Sequence, residues 1–248
     1  MAQLPNTIEE AIAQAKEATQ AALDDGYTRV QVELVFPEIE LQAQSISQQF
    51  IPLLEDYGSG LKLLFPDTGA AALARRDWGE TVYKVSDIGT SRSPVEMRIQ
   101  PEDEAFLIVS PSAVEVAQVE KLCNLAGDRP CILLNPQMED ISVVGIGYAA
   151  RQLRDRFLST LESCYYLKPL AGAALRRSYP GSWEVWLETE GEYQLIAQQP
   201  NKPAGEVIDQ IILKATSPGN NTAQASAVAP RKTGLFNSIG RFLKALSN

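Results

Sequence analysis

Apolar and polar positions alternate along this chain in blocks of two distinct periods. The first block opens at Thr7-x-x-Glu10, a spacing that lets the Thr side chain accept from an orphan helix N–H while Glu10 reaches back. Behind it, Ile8, Ile12, Ala15, Ala22 and Leu23 fall near one face of a helix that Asp24, Asp25 and Gly26 end. The period then drops to two. Arg29 to Phe36 alternates Val30, Val32, Leu34 and Phe36 with polar partners, which predicts a strand stopped by Pro37. A short helix is expected over Ile46 to Leu54, a buried strand over Leu61 to Phe65, an Ala-rich helix over Thr68 to Asp77 and a further strand over Val82 to Val85. Residues 89–103 read as loop.

Ala105 to Val109 reads as a strand that ends at Ser110-Pro111. Ser112 is expected to cap the next helix, whose apolar face is Val116, Val119, Leu122 and Cys123, and Cys131 to Leu134 forms the following strand. Strand, crossover helix and strand in so short a span make a βαβ unit, whose natural pairing is parallel. A helix rich in Arg and Leu is expected from Tyr148 to Leu161. The texture then shifts to short strands at Tyr165 to Leu167, Ala173 to Tyr179, Trp183 to Glu188 and Tyr193 to Ala197. The last two are joined by the turn Thr189-Glu190-Gly191-Glu192. Pro203 to Lys214 reads as a final helix with Val207 and Ile211 facing inward, Ile208 beside them. The expected fold is α/β: three layers around a mostly parallel sheet, with an antiparallel extension from the second half.

Four candidate strands end alike, at Phe36-Pro37, Phe65-Pro66, Ser110-Pro111 and Asn135-Pro136. Proline cannot donate to a ladder, so it stops a strand. In a parallel sheet the four prolines would share one rim, where open α/β sheets place ligands. Glu38, Asp67, Ser110, Ser112 and Asn135 arrive there as a candidate ligand rim. The same residues also serve as plain punctuation of strand-to-helix turns, the commoner use of such a pattern, and no Gly-rich phosphate loop accompanies them. Gly145-Ile146-Gly147 lacks the third glycine of a dinucleotide fingerprint. Trp183 and Trp186 sit three apart in a strand, so they point to opposite faces, one expected in the core and one toward solvent or a partner.

Composition narrows the chemistry. The 248 residues contain no histidine, which removes Ser-His-Asp and Cys-His pairs and His metal sites. Cys123, Cys131 and Cys164 form no CxxC motif and read as small buried apolar groups. Glu102, Asp103 and Glu104, and Asp128, Glu139 and Asp140, lack calcium-loop spacing and read as solvated charge. The clusters Arg75-Arg76, Arg151, Arg154 and Arg156, and Arg176-Arg177 suit an exposed basic face or an acidic partner. A net charge of −9 argues against nucleic acid as a partner. No catalytic residue, cofactor site or metal site is indicated. The N-terminus lacks the apolar core of a signal peptide, and no apolar run reaches the roughly 20 residues that span a bilayer.

Residues 1–215 therefore form the expected domain. Residues 216–230 (TSPGNNTAQASAVAP) carry no charge and read as a flexible linker. In residues 231–248, Leu235, Phe236, Ile239, Phe242, Leu243 and Leu246 form one helical stripe, and Arg231, Lys232, Arg241 and Lys244 supply four positive charges. Such a helix suits an anionic membrane surface, at about 1 kcal/mol per basic residue. Docking in a partner protein, or folding back or staying disordered, are the lesser alternatives.

The segments LPNTIEEAIAQAKEATQAAL, RVQVELVFPEIE, GLKLLFPDTGAAALARRDW, SPSAVEVAQVEKLCNLAGDRPCILLNPQMED and GIGYAARQLRDRFLSTLESCYYLKPL carry a resemblance from about residue 4 to residue 214. They resemble a family of unknown function from cyanobacteria and plastids that includes low photosystem II accumulation proteins. One relative in that family carries the domain behind an adenylate kinase, but this chain has no G-x-x-x-x-G-K-[ST] loop, so that activity does not carry over. The resemblance supplies no catalytic residues. It implies a non-enzymatic factor for photosystem assembly or maintenance, cytoplasmic and peripherally associated with the thylakoid membrane, whose partners are photosystem assembly proteins or subunits.

Overall fold

The structure is a computed structural model that describes residues 3–90, 92–138 and 148–217, with the backbone alone at 37, 38, 40, 149 and 150. The expected linker and C-terminal helix from residue 218 onward, and Gly145-Ile146-Gly147 with Glu139 and Asp140, lie outside the described residues.

Nine strands form one sheet in the order β3-β2-β4-β5-β1-β6-β7-β8-β9. The parallel part holds β1 (Arg29–Leu34), β2 (Leu61–Phe65), β3 (Lys84–Asp87), β4 (Ala105–Val109), β5 (Cys131–Leu134) and β6 (Glu162–Leu170). β7 (Ala173–Ser178), β8 (Trp183–Thr189) and β9 (Glu192–Gln199) extend it antiparallel. The α/β, mostly parallel architecture expected from the sequence is therefore what forms.

Strand composition explains the layering. LKLLF, AFLIV and CILL are buried at every position, as strands covered on both faces must be. One face carries α1 (Ile8–Asp24), α2 (Ala43–Phe50) and α3 (Thr68–Trp78), packed on Val30, Val32, Leu34, Leu63 and Leu107. The other carries α4 (Val116–Ala126) and α5 (Tyr148–Arg156), packed on Phe106, Ile108, Cys131 and Leu133. On that second side, α6 (Gly205–Thr216) covers the antiparallel extension through Ile208, which packs with Tyr166, Leu175, Trp183 and Val185.

Several boundaries move. β1 stops at Leu34, two residues before the position expected, and β3 starts at Lys84 rather than Val82. The helix expected from Ile46 begins at Ala43 and passes into 3-10 turns over Ile51–Gly60, with Pro52 in the first of them. The helix from Tyr148 ends at Arg156, and Leu158–Thr160 forms a separate 3-10 turn. α4 starts at Val116 with Glu115 at its N-cap. Ser112 lies three residues upstream and donates its hydroxyl to Glu115 Oε2 at 2.6 Å, so it shapes the entry turn and does not cap the helix. Val207 is exposed, leaving Ile208 with Ile211 and Ile212 as the inward side of α6. Trp183 and Trp186 do take opposite faces, yet both are buried, because α1 and α6 flank the extension on its two sides. The paired arginines of β7 are not a basic surface: Arg176 pairs with buried Glu184 at 2.7 Å, and Arg177 pairs with Glu162. All three cysteines are buried and free. Burial pushes the Cys164 thiol up to about 11, so it stays protonated at neutral pH.

A buried ion cluster closes the amino-terminal rim of the sheet. Asp103 is fully buried and accepts from Lys62 at 2.6 Å, Lys84 at 2.7 Å and the Gln100 amide at 2.8 Å. Lys62 also donates to the Arg98 carbonyl. Asp103 is thus not the solvated loop charge that its sequence neighbours suggest; it is the anion that lets two lysines start adjacent strands. Its burial raises the carboxyl pKa, and the lysines and the amide more than reverse this, leaving it below the ordinary carboxylate value. A depressed folded pKa gives stability that is present above the unfolded value and lost as pH falls through the folded one. Asp103→Ala should cost about 3–5 kcal/mol in urea unfolding at pH 7, since it strands Lys62. Asp103→Asn should flatten the acid-side fall in stability below about pH 4.

Candidate functional site: the carboxyl crevice at β1, β5 and β6

β1 is the exception among the central strands. Its burial alternates, with Val30, Val32 and Leu34 buried and Arg29, Gln31 and Glu33 half-buried. One face of the strand therefore joins the core while the other is polar. β6 continues that polar strip with Ser163, whose hydroxyl donates to Glu33 Oε2 at 3.1 Å. Gln31 Nε2 donates to the same oxygen at 3.2 Å. Apolar helix faces do not pack on such a strip without stranding its polar groups, so the helical layer has a gap there.

Two cavities fill the gap. One, of about 610 Å³, is lined by Gln31, Glu33, Ser112, Val114, Gln137 and Lys202, among others. Its neighbour, of about 430 Å³, is lined by Glu33, Val35, Phe36, Asn135, Gln137 and Tyr166, among others. They share Glu33, Pro136 and Gln137. Together they form a crevice at the carboxyl ends of β1 and β5, beside Tyr166 in the middle of β6. The chain leaving β1 packs on the first face of the sheet, and the chain leaving β5 returns through α5 on the second. Divergence of neighbouring connections is the feature that opens ligand crevices in α/β sheets.

A bulge aims the groups around it. Gln31 pairs with Ser163 and Val32 with Tyr165, which leaves Cys164 as the extra residue of β6. Beyond the bulge, Tyr166 stands opposite Glu33. Lys202 reaches in from the connection between β9 and α6. Its ammonium lies 3.5 Å from Glu33 Oε1, 4.1 Å from the Tyr166 ring centroid and 5.4 Å from that of Trp183. Cation–π contacts of this kind are worth about 0.5–1 kcal/mol when exposed and about 2 when desolvated. The two rings lie 5.0 Å apart, tilted by 58°.

The expected rim is real as topology. β1, β2, β4 and β5 run parallel, so their proline-terminated ends share one edge. Its residues do not converge on one place. Asn135 and Ser112 line the crevice. Ser110 and Asn135 both adopt positive φ, 46° and 48°, which bends the chain sharply at the mouth. Asn135 is also structural. Its Oδ1 accepts from Leu34 N at 2.8 Å, continuing the β1–β5 ladder past the last pair. Asp67 lies away at the end of β2, where it caps α3 by accepting from Ala70 N at 2.9 Å. Glu38 sits in the 3-10 turn Pro37–Gln42 after β1. Gln31, Glu33, Ser163, Tyr166, Gln137 and Lys202 join the site without having stood out in the sequence. The alternating polar face of β1 signals the first two; nothing local marks Lys202.

Among the described residues, no group of three or more His, Cys, Asp or Glu side chains is placed to hold a metal ion, and no helix is long and apolar enough to cross a membrane. The crevice offers amides, hydroxyls, one carboxylate and one ammonium, which suits hydrogen-bonded recognition of a polar molecule. Fold and crevice together define a doubly wound α/β domain with an antiparallel extension. The chain belongs to the family described as a domain of unknown function (DUF1995), whose model matches residues 5–210. No solved structure matches it.

The double duty of Asn135 is directly measurable. Asn135→Ala should cost about 1–3 kcal/mol, because it leaves the Leu34 N–H unpaired and puts Ala at positive φ. Asn135→Gly relieves the backbone and should cost less. Urea unfolding of the two variants should separate them in that order.

Proposed function

We propose that the domain is a binding module that takes a small polar ligand in the carboxyl crevice of β1, β5 and β6. The observation that carries this reading is the polar strip Gln31–Glu33–Ser163, facing a cavity in an otherwise apolar sheet. Folding does not require a central strand to keep one face hydrophilic, and burying that face imperfectly costs stability. A ligand that completes its hydrogen bonds offsets that cost. The balance of groups favours binding over catalysis, since each charged side chain in the crevice is held by a neighbour of opposite or π character.

A ligand that binds the folded state raises its melting temperature. A panel of small polar metabolites, screened by thermal shift on the full chain, should yield compounds that stabilise it. Gln137→Trp, which fills the crevice from a residue exposed at its mouth, should remove that stabilisation while the free protein keeps a cooperative unfolding transition. Stabilisation that survives in Gln137→Trp contradicts the site.

A second reading concerns location, and the stripe Leu235, Phe236, Ile239, Phe242, Leu243 and Leu246 with its four basic residues supports it. In this reading the tail attaches the domain reversibly to an anionic membrane. The resemblance carried by the sequence segments supports a thylakoid setting and a part in photosystem assembly or maintenance, with the domain as the ligand-responsive portion. The full chain should float with vesicles of phosphatidylcholine and phosphatidylglycerol, less so as salt rises, and not at all once residues 231–248 are removed. Flotation unchanged by the truncation contradicts this attachment.

A further inference from the structure

We propose that Glu33, Tyr166 and Trp183 form a cation receptor that Lys202 fills as a tethered stand-in, and that the ligand of the crevice carries an ammonium or methylated ammonium head that replaces it. This rests on the crevice being a ligand site and specifies what it recognises.

The corner is built to stabilise positive charge. One ammonium, that of Lys202, lies over both rings, which stand 5.0 Å apart and tilted by 58°. Ring faces are the negative part of the aromatic quadrupole, and tilted rings closed by a carboxylate are the arrangement that holds ammonium groups. The carboxylate is Glu33, held by Gln31 and Ser163 so that it stays aimed at the corner. Among the described residues, the positive group at this corner that can leave is Lys202. Arg177 also lies over Trp183, at 5.7 Å, but it is largely buried and paired with Glu162.

Lys202 has the properties of a stand-in rather than of a fixed structural cation. Its side chain is 47% exposed, and its contact with Glu33 is long, at 3.5 Å. It sits on a connection between Pro200 and Pro203, outside every helix and strand. It also lies at the seam of the crevice: Lys202 lines the larger cavity, Tyr166 the smaller, and Glu33 both. A ligand whose head takes the corner would have its body in the larger cavity. An anion is disfavoured, because Lys202 is already matched by Glu33, the carboxylate that lines both cavities.

A tethered competitor lowers apparent affinity by the fraction of time it leaves the site open. Removing it should therefore tighten binding of the cation. Choline is the probe, read by calorimetry and by Trp fluorescence on the full chain, with its uncharged carbon isostere dimethylbutanol as control. Lys202→Ala should bind choline about tenfold or more tighter than the wild type. The gain should be absent for dimethylbutanol and lost when Glu33→Gln is added. Equal choline affinity in wild type and Lys202→Ala, no choline binding by Lys202→Ala at millimolar concentration, or an equal gain for the uncharged isostere each overturns the receptor. A metabolite that stabilises the protein, is excluded by Gln137→Trp and is indifferent to Lys202→Ala would overturn the receptor while leaving the crevice as the ligand site.

Discussion

Everything distinctive about this molecule depends on a two-faced central strand. β1 sits between the parallel half and the strands that lead to the antiparallel half, and it is apolar toward α1 and polar toward the other layer. β5 beside it and β4 beyond are apolar on both faces and are covered on both. Burying Gln31 and Glu33 under an apolar helix would strand an amide and a carboxylate, at a cost of several kcal/mol. The helical layer therefore stays divided, with α4 and α5 on one side of the gap and α6 on the other. The crevice is a consequence of that division.

The two rims of the sheet contrast in their use of charge. At the amino rim Asp103 is saturated by two lysines and an amide, so its charges are consumed by structure. At the carboxyl rim the Glu33–Lys202 pair is longer and partly solvated, and its lysine stands on a connection rather than on a strand. Close, saturated pairs anchor a fold; loose pairs at the mouth of a cavity leave groups that a ligand can recruit. The bulge at Cys164 adds to the second arrangement, since it turns Tyr166 onto the same face as Glu33.

Much of the fold is legible from period alone. LKLLF, AFLIV and CILL read as buried parallel strands because runs of that length and composition fit only a sheet covered on both faces. Proline after β2, β4 and β5 marks the common rim. Boundaries drift where local and tertiary preferences compete: Ser112 looks like a cap in sequence, but its pairing with Glu115 delays the helix to Val116. The candidate site is legible only in part. Ser112 and Asn135 belong to it, and Asp67 proves to be a helix cap. Glu33, Tyr166 and Lys202 come from segments more than 30 residues apart in every pairing, joined by a parallel crossover and a bulge that no local pattern encodes. The basic pair in β7 misleads for the same reason, since its partners Glu162 and Glu184 lie on the neighbouring strands.

Amide-resolved NMR of the full chain, titrated with a low-molecular-weight polar extract of cells, tests the central claim most directly. Shift changes concentrated at the carboxyl ends of β1 and β5 and on the adjoining part of β6, from Gln31 to Phe36, Asn135 to Met138 and Ser163 to Leu167, are the predicted result. Changes confined to other surfaces, or none at those strand ends, would contradict the account.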